Sequence, residues 1–459
     1  MATTLLMNAQ FTYDLTVIEA ASYSYVTPGQ YVFKPVVRNL GTQAVTSFRL
    51  NWRVDNGPVE QCTISTFEIF PLIITNVTNR VVACEPLDLA TLGTHSLQVW
   101  CDLLNGFATD QNTANDMLSQ PIQVLPYVPV KQVMVDYFTH DICQPCGEDG
   151  EPQVAAMEAQ FPGLVHGIAV HASSTDPFSN ADTELLNDSM HVNAHPKILV
   201  DRFKFPYFSD MSGNASYDYS ILWRRAGDRL EYPEPVEVRF TDINFNPNTR
   251  LLEANVAVDF VADVSEDLAI NLYVTEDSVF GYQAGAPDPF NHFHRHVFRR
   301  ALNGMLGMAG DIPANVAAGS SYSRTFTTVL PTGWNADRIV LYGVVQAIND
   351  QDFMGRRILN MSAERMLDND VGSVELADQG LMMLWPTLAI EQLHVRIEQP
   401  LGPGDRLDLI STDGKAQRVL PSYGGQVQFT LMTMGLASGN YSLVLWQNGS
   451  AVSRRFVVP

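Results

Sequence analysis

At 459 residues the chain exceeds what one hydrophobic core can organise, because cores stop growing near about 250–300 residues, and three or four domains are expected. With 46% hydrophobic and 17% charged residues each domain can bury an ordinary core, which excludes global disorder. The 50 acidic and 28 basic residues leave a formal charge of −22 that serves solubility and argues against nucleic acid or anionic lipid headgroups as partners, and no run of about 18 apolar residues is present to span a membrane.

The opening "MATTLLMNAQFTYDL" lacks a basic n-region followed by a long apolar segment and a cleavage site, so it reads as a mature or trimmed form. Residues 1–127 read as short strands, among them "YVFKPVVRNL", "SFRLNWRVDNG" and "HSLQVWCDLL", separated by turn signals at Asn56-Gly57 and Asn105-Gly106. Strands at this spacing predict an immunoglobulin-like β-sandwich. The pattern "VVRNLGTQAVTSFRLNWRVDNG … LGTHSLQVWCDLLNGFATDQNTANDM" resembles the bacterial CARDB family of cell-adhesion-related domains. Within it, Asp110, Asn112 and Asp116 are either calcium ligands or an Asx-rich turn. Three cysteines here, Cys62, Cys84 and Cys101, allow one disulfide and one free thiol in three pairings, or a reduced trio in an apolar core.

"LPYVPVKQ" (125–132) carries two prolines and predicts a stiff linker into a second domain, 128–232. There the apolar runs "VMVDYF", "LVHGIAVHA" and "KILVDRF" alternate with the helical patterns "PQVAAMEAQF" and "NASYDYSILWRRAGDRL", which indicates an α/β unit. From 233 to 372 period-two alternation returns ("VEVRFTDINF", "LLEANVAVDFVA", "LAINLYVTE") and predicts another sandwich; 380–459 repeats the pattern as a small one. The expected fold class is thus multidomain and mainly β, with sandwiches flanking one α/β unit.

The chemistry concentrates in "DYFTHDICQPCGEDGEPQVAAMEAQFPG" (136–163). A strand followed by C-x-x-C at the start of a helix is an arrangement that activates a thiol: free amides and the helix dipole stabilise the thiolate of Cys143, and Cys146 can resolve a mixed disulfide. Zinc is the competing reading, with His140 and His166 completing a site, although no second C-x-x-C exists. Pro196 stands directly before a strand some fifty residues downstream, where thioredoxin-like domains carry a cis-proline facing their cysteine pair.

The ordered run "YFTHDICQPC … VHGIAVHASSTDPFSN … AHPKILVDR … FNHFHRHVFRRALNGMLG" resembles the outer-membrane-protein-twenty-eight family of exported proteins over roughly residues 130–365. The resemblance implies a thioredoxin-like domain followed by a β-sandwich, and a role in surface binding or adhesion. Two departures weigh against catalysis: "DYFTH" precedes the cysteines, and Ala194-His195 stands where a glycine is expected. Glu148, Asp149 and Glu151 would also raise a nearby thiol pKa. In "HFHRHVFRR", His292, His294 and His296 would share one strand face, as metal ligands or as hydrogen-bonded histidines.

"LWPTLAIEQLHVRI … LDLISTDGKAQRVL … TMGLASGNYSLVLWQNGSAVSRRFVVP" resembles the C-terminal sorting domain of the type IX secretion system. The matching positions include Pro386, Gly414, Gly439, Tyr441, Asn448, Gly449, Arg454 and Arg455; the opening "WPTL" and the terminal Pro459 depart from the pattern. The resemblance implies export to the outer-membrane surface or beyond, with the type IX machinery as a partner.

Three functions are expected from this reading. The first is a secreted or surface-attached modular protein for adhesion or assembly, with protein or glycan partners or with itself. The second is an extracytoplasmic thiol-disulfide oxidoreductase using Cys143 and Cys146. The third is a structural subunit of an extracellular filament or coat, since sandwich edges can pair between chains. None requires a cofactor, and calcium is the candidate ion.

Overall fold

The computed structural model describes residues 11–65, 68–71, 79–206, 212–214, 219–348, 356–367, 382–385, 392–397, 399–400, 405–411, 416–419, 427–433, 436–437, 439–447 and 450–458. The chain divides into two compact units, 1–367 and 368–459, and is mainly β. No helix among the described residues is long and apolar enough to cross a membrane.

The first unit opens with a sandwich. Alternation along Gly93–Asp102 turns Leu97, Val99 and Cys101 inward, as period two requires of a strand with one face covered. That strand lies in a five-stranded sheet in the order Tyr25–Val26, Met117–Val124, Gly93–Asp102, Phe48–Val54, Glu60–Ile64. A three-stranded sheet of Leu15–Glu19, Val36–Asn39 and Asn79–Arg80 shares its core, in which Phe33 meets Trp52 edge-on at 5.2 Å between ring centroids. The cysteine pairing resolves as Cys62–Cys84, with Cys101 a buried thiol whose pKa burial pushes well up.

The proline-containing segment 125–132 is packed down and does not run as a free spacer. Tyr127 Oη donates to Glu237 at 3.2 Å, Lys131 Nζ lies 2.5 Å from Asp201, and Asn360 Nδ2 donates to Val130 O at 3.0 Å.

Beyond it, one eight-stranded sheet runs in the order Ser212–Asn214, Lys197–Val200, Val133–Thr139, Val165–His171, Val297–Ala301, Leu268–Glu276, Ile339–Ala347, Ile358–Arg365. Strands from the stretches 128–232 and 233–372 therefore belong to one sheet, joined where Ala169 N donates to His296 O at 2.8 Å. Val133–Thr139 is buried at every residue because both of its faces are covered. On one face Val133, Val135, Tyr137 and Cys146 pack with the helices Glu151–Gln160 and Tyr219–Leu230, the latter through Ala226. On the other, Met134, Phe138, Ile168 and Leu199 share a core with Tyr273, Phe298, Tyr342 and Val344. The strand Ile358–Arg365 returns towards the start of the sheet, Ile358 N donating to Asp201 O at 2.8 Å.

This closure buries charge, and burial demands that such charge be paired. Asp136 receives two hydrogen bonds from Arg202, and Asp201 faces both Lys131 and Arg229, which also donates to Glu234. A second, three-stranded sheet, Val236–Asn246, Leu251–Phe260 and Ser321–Val329, covers the later strands over its own apolar core.

The second unit, taken by itself, packs a three-stranded sheet (Met382–Trp385, Gln392–Ile397, Gln428–Met432) with a four-stranded one (Ala416–Val419, Arg406–Ser411, Gly439–Gln447, Ser450–Val458). Their core includes Leu393, Val395, Leu407, Leu443 and Phe456. Gly439 begins the longest strand pair, Tyr441 Oη donates to Ala437 O at 2.8 Å, and Arg454 and Arg455 lie on the last strand opposite Leu443 and Ser442. Pro386, Gly414, Asn448 and Gly449 lie outside the described residues.

Candidate redox site

The strand Val133–Thr139 ends at a short loop, His140–Pro145, that delivers Cys143 and Cys146 to the start of a helix. The two are joined as a disulfide with Cα atoms 5.3 Å apart. Cys146 is fully buried among Tyr137, Val154 and Ile198, whereas Cys143 is half-buried. The first helical turn, Cys146–Gly150, is a wide π turn without a side-chain cap, followed by the regular helix Glu151–Gln160. Unpaired amides at such an end favour a thiolate. Glu148 and Asp149, both exposed in that turn, oppose it.

Pro196 follows a cis peptide bond from His195, the isomer that only X-Pro bonds adopt cheaply. Its ring reaches the same helix start: a Cβ added to Gly150 would lie 3.0 Å from Pro196 Cβ and 2.6 Å from Tyr137 Oη, so only glycine fits there. The Tyr137 hydroxyl donates to Cys146 O at 2.8 Å. His195 lies 6.5 Å from the His140 ring, and its pKa is lowered by burial and by His140. The cysteine pair, Pro196 and His140 thus belong to one loop cluster.

A second part of the site comes from far along the chain. The hairpin Val279–Gly281 with His292–His294, and the loop joining its strands, lies against the cysteine loop. Gln283, only 2% exposed, donates from Nε2 to His140 O at 3.2 Å and Cys143 O at 3.1 Å, and Ala284 N donates to Asp141 O at 2.7 Å. The fit is close enough that a Cβ on Gly147 would meet Ala284 O at 2.3 Å. Sequence reasoning missed Gln283, because nothing local in "GYQAGAP" marks a residue that bonds 140 positions away.

The three histidines of "HFHRH" do not gather as one ligand set. His292 Nε2 lies 2.9 Å from Glu151, His294 Nε2 lies 3.2 Å from Tyr282 O, and His296 bonds both Glu158 and Asp277. The cause is local: His296 takes φ +53°, which breaks the alternation that would have kept it on the face of the other two. Their charges diverge accordingly. Burial, helped by His171 and His292, pushes the pKa of His294 down to about 3. Desolvation opposes charge on the half-buried His296 too, but its hydrogen bonds to Asp277 and Glu158 prevail and push it up to about 9. His171 completes the inner layer, its Nδ1 2.8 Å from the buried Asp176 and its ring 5.1 Å from His294.

Among the described residues one group of three brings ligand atoms within 4.8 Å of one another: His140, Asp141 and Asp176, beside the cysteine loop. Its atoms are already engaged, Asp176 accepting from Asp141 N and Phe178 N and Asp141 accepting from Ile142 N. His166 stands apart from the cysteines, near Gln132 and Gly163.

In the N-terminal sandwich Asp110 accepts from Leu15 N at 2.7 Å and from Asn112 N at 2.9 Å, the second bond being that of an Asx turn. Asn112 and Asn115 both donate to Asp14. Burial, with Asp110 and Asp14 nearby, pushes Asp116 up to about 6.

No family model matches the chain, and no curated protein matches it. Among solved structures it is similar to HBP35 of Porphyromonas gingivalis, at 16% identity and a TM-score of 0.43, over 72% of this chain and 99% of that one. A CARDB domain from Pyrococcus furiosus, solved in complex with two metal ions, matches 27% of this chain and 100% of its own at 20% identity and a TM-score of 0.20. A domain of a putative cell surface protein from Methanosarcina acetivorans matches 26% of this chain and 96% of its own at 19% identity and a TM-score of 0.21.

Proposed function

We propose that this chain is an exported modular protein, displayed at the cell surface, whose α/β unit is thioredoxin-like and carries a thiol-disulfide exchange site. One observation carries the reading: the Cys143–Cys146 disulfide lies at a helix start whose Gly150 abuts cis Pro196, with Cys143 half-buried and Cys146 fully buried. In the oxidised form a partner thiolate attacks Cys143 Sγ, the bond to Cys146 Sγ breaks, and Cys146 leaves as a thiolate. The partner's second thiolate then attacks its own bridged sulfur and releases Cys143. Two electrons and two protons pass from the partner dithiol to the pair.

Two further features support export. Both disulfides belong to an oxidising compartment, and the resemblance of 380–459 to a type IX sorting domain supplies an address. Mass spectrometry of surface material, compared with whole cells, reads whether residues beyond about 380 survive the passage.

A second reading, a binding or adhesion module with a purely structural 143–146 bond, is favoured by the Gln283 anchor and by Glu148 and Asp149 beside the pair. An insulin-reduction assay with excess dithiothreitol separates the two. Exchange predicts turnover that falls at least about a hundredfold in Cys143→Ser. A wild type no faster than dithiothreitol alone overturns exchange and leaves the binding module.

A further inference from the structure

The hairpin beside the cysteine loop has two unlike faces. Alternation turns His292 and His294 inward, towards Glu151, His171 and Phe178. The same alternation turns Phe280 and its cross-strand partner Phe293 outward, with ring centroids 5.5 Å apart and side chains 60% and 56% exposed. Tyr282 and Phe290 form a second exposed pair at 5.2 Å, and Ile142, 66% exposed, adjoins Cys143 in the chain. Contiguous exposed aromatic surface is costly in water unless something covers it. Here the bonds from Gln283 and Ala284 fasten it to the loop that carries Cys143.

We propose that this aromatic face, Ile142, Phe280, Tyr282, Phe290 and Phe293, is the docking surface for an extended polypeptide segment that presents a cysteine between apolar and basic side chains. The inference rests on the exchange reading and names its substrate class. Charge selects the occupant: Glu148, Asp149 and Asp288 are exposed near the patch, the exposed Arg295 just after the hairpin is turned to Glu158 at 3.7 Å, and the chain carries −22 overall. A second copy of this chain would set the same acidic groups against one another, and an acidic peptide would do likewise. A neutral or basic segment meets no such repulsion. Its aromatic or aliphatic side chains cover the exposed rings while its sulfur lies within reach of Cys143.

The test uses the full chain as Cys146→Ser with its Cys62–Cys84 bond intact, and two cysteine peptides activated as thionitrobenzoate mixed disulfides, one apolar and basic, the other polar and acidic. Cys143 attacks the peptide sulfur and releases coloured thionitrobenzoate. The mixed disulfide of mercaptoethanol serves as a small control. The apolar-basic peptide is expected to react about tenfold faster than the acidic one, and Phe280→Ser/Phe293→Ser is expected to erase that preference while leaving the small control unchanged. A preference that survives the double substitution overturns the docking surface while exchange stands. If the small control fails to react, exchange itself fails. In that case calorimetry of the oxidised native chain with a cysteine-to-serine version of the apolar-basic peptide decides the surface alone: binding lost in the double variant supports it, and no binding overturns it.

Discussion

The two disulfides of the first unit differ in what they can do. Cys62–Cys84 spans 22 residues and ties a strand of the five-stranded sheet to a distant loop, whereas Cys143–Cys146 spans 3 and closes a loop already shaped by a helix start. Cross-linking stabilises chiefly by restricting the unfolded chain, an effect that grows with the loop closed: about 3 kcal/mol for the longer bond and about 2 kcal/mol for the shorter in the chain-entropy account. The longer bond is therefore a fastening. The shorter one restricts the chain less, and it joins a half-buried cysteine to a fully buried one at a helix start, the arrangement on which the proposed exchange rests.

The sharpest way to break that contrast is to remove each bond. Cys62→Ala/Cys84→Ala is expected to lower the unfolding free energy of the N-terminal sandwich by about 3 kcal/mol, read by urea denaturation with proteolysis of the unfolded fraction. Cys143→Ala/Cys146→Ala should cost less and act on the α/β part. Equal losses, or the reverse order, would end the distinction between a fastening and a chemical bond.

Next in size is a pH effect confined to the hairpin side of the proposed exchange site. Burial opposes the charge on His296, but Asp277 and Glu158 raise its folded pKa from 6.5 to about 9, above its unfolded value. Its contribution is therefore complete below about pH 6.5 and disappears as pH rises through about 9. The gap in stability between wild type and His296→Gln should shrink by on the order of 2 kcal/mol between pH 6 and pH 10. A gap that stays constant across that range would show that the histidine is held without its charge. The Cys62–Cys84 sandwich has no part in this titration, so its own unfolding should not change the gap.

Much of this was legible in local pattern. Alternation placed Leu97, Val99 and Cys101 inside, and the strand, cysteine pair and helix stood in the expected order with Pro196 cis beside them. What stayed hidden is non-local or depends on a single dihedral angle. The hydrogen bond that joins Ala169 to His296 makes one sheet of two stretches that read as separate, and no periodicity encodes it. One positive φ at His296 scattered three histidines that period two would have aligned. The pairing of Cys62 with Cys84 depends on where a loop returns, which spacing does not state.

The smallest expected effect tests what the short bond lacks. The loop that Cys143–Cys146 closes has a further fastening in Gln283: from a buried position its one amide nitrogen serves the carbonyls of His140, Cys143 and Ala284. Gln283→Ala leaves those oxygens to water or to nothing, a loss of about 1 kcal/mol. The loss should be local, because the hairpin and the cysteine loop are also linked by Ala284 N to Asp141 O. Hydrogen exchange is the fitting measurement: amides at 141–146 should exchange several-fold faster in the variant, while those of the Gly93–Asp102 strand in the N-terminal sandwich keep the wild-type rate. Unchanged exchange at 141–146 would mean that the disulfide and the Ala284–Asp141 bond hold the loop without Gln283.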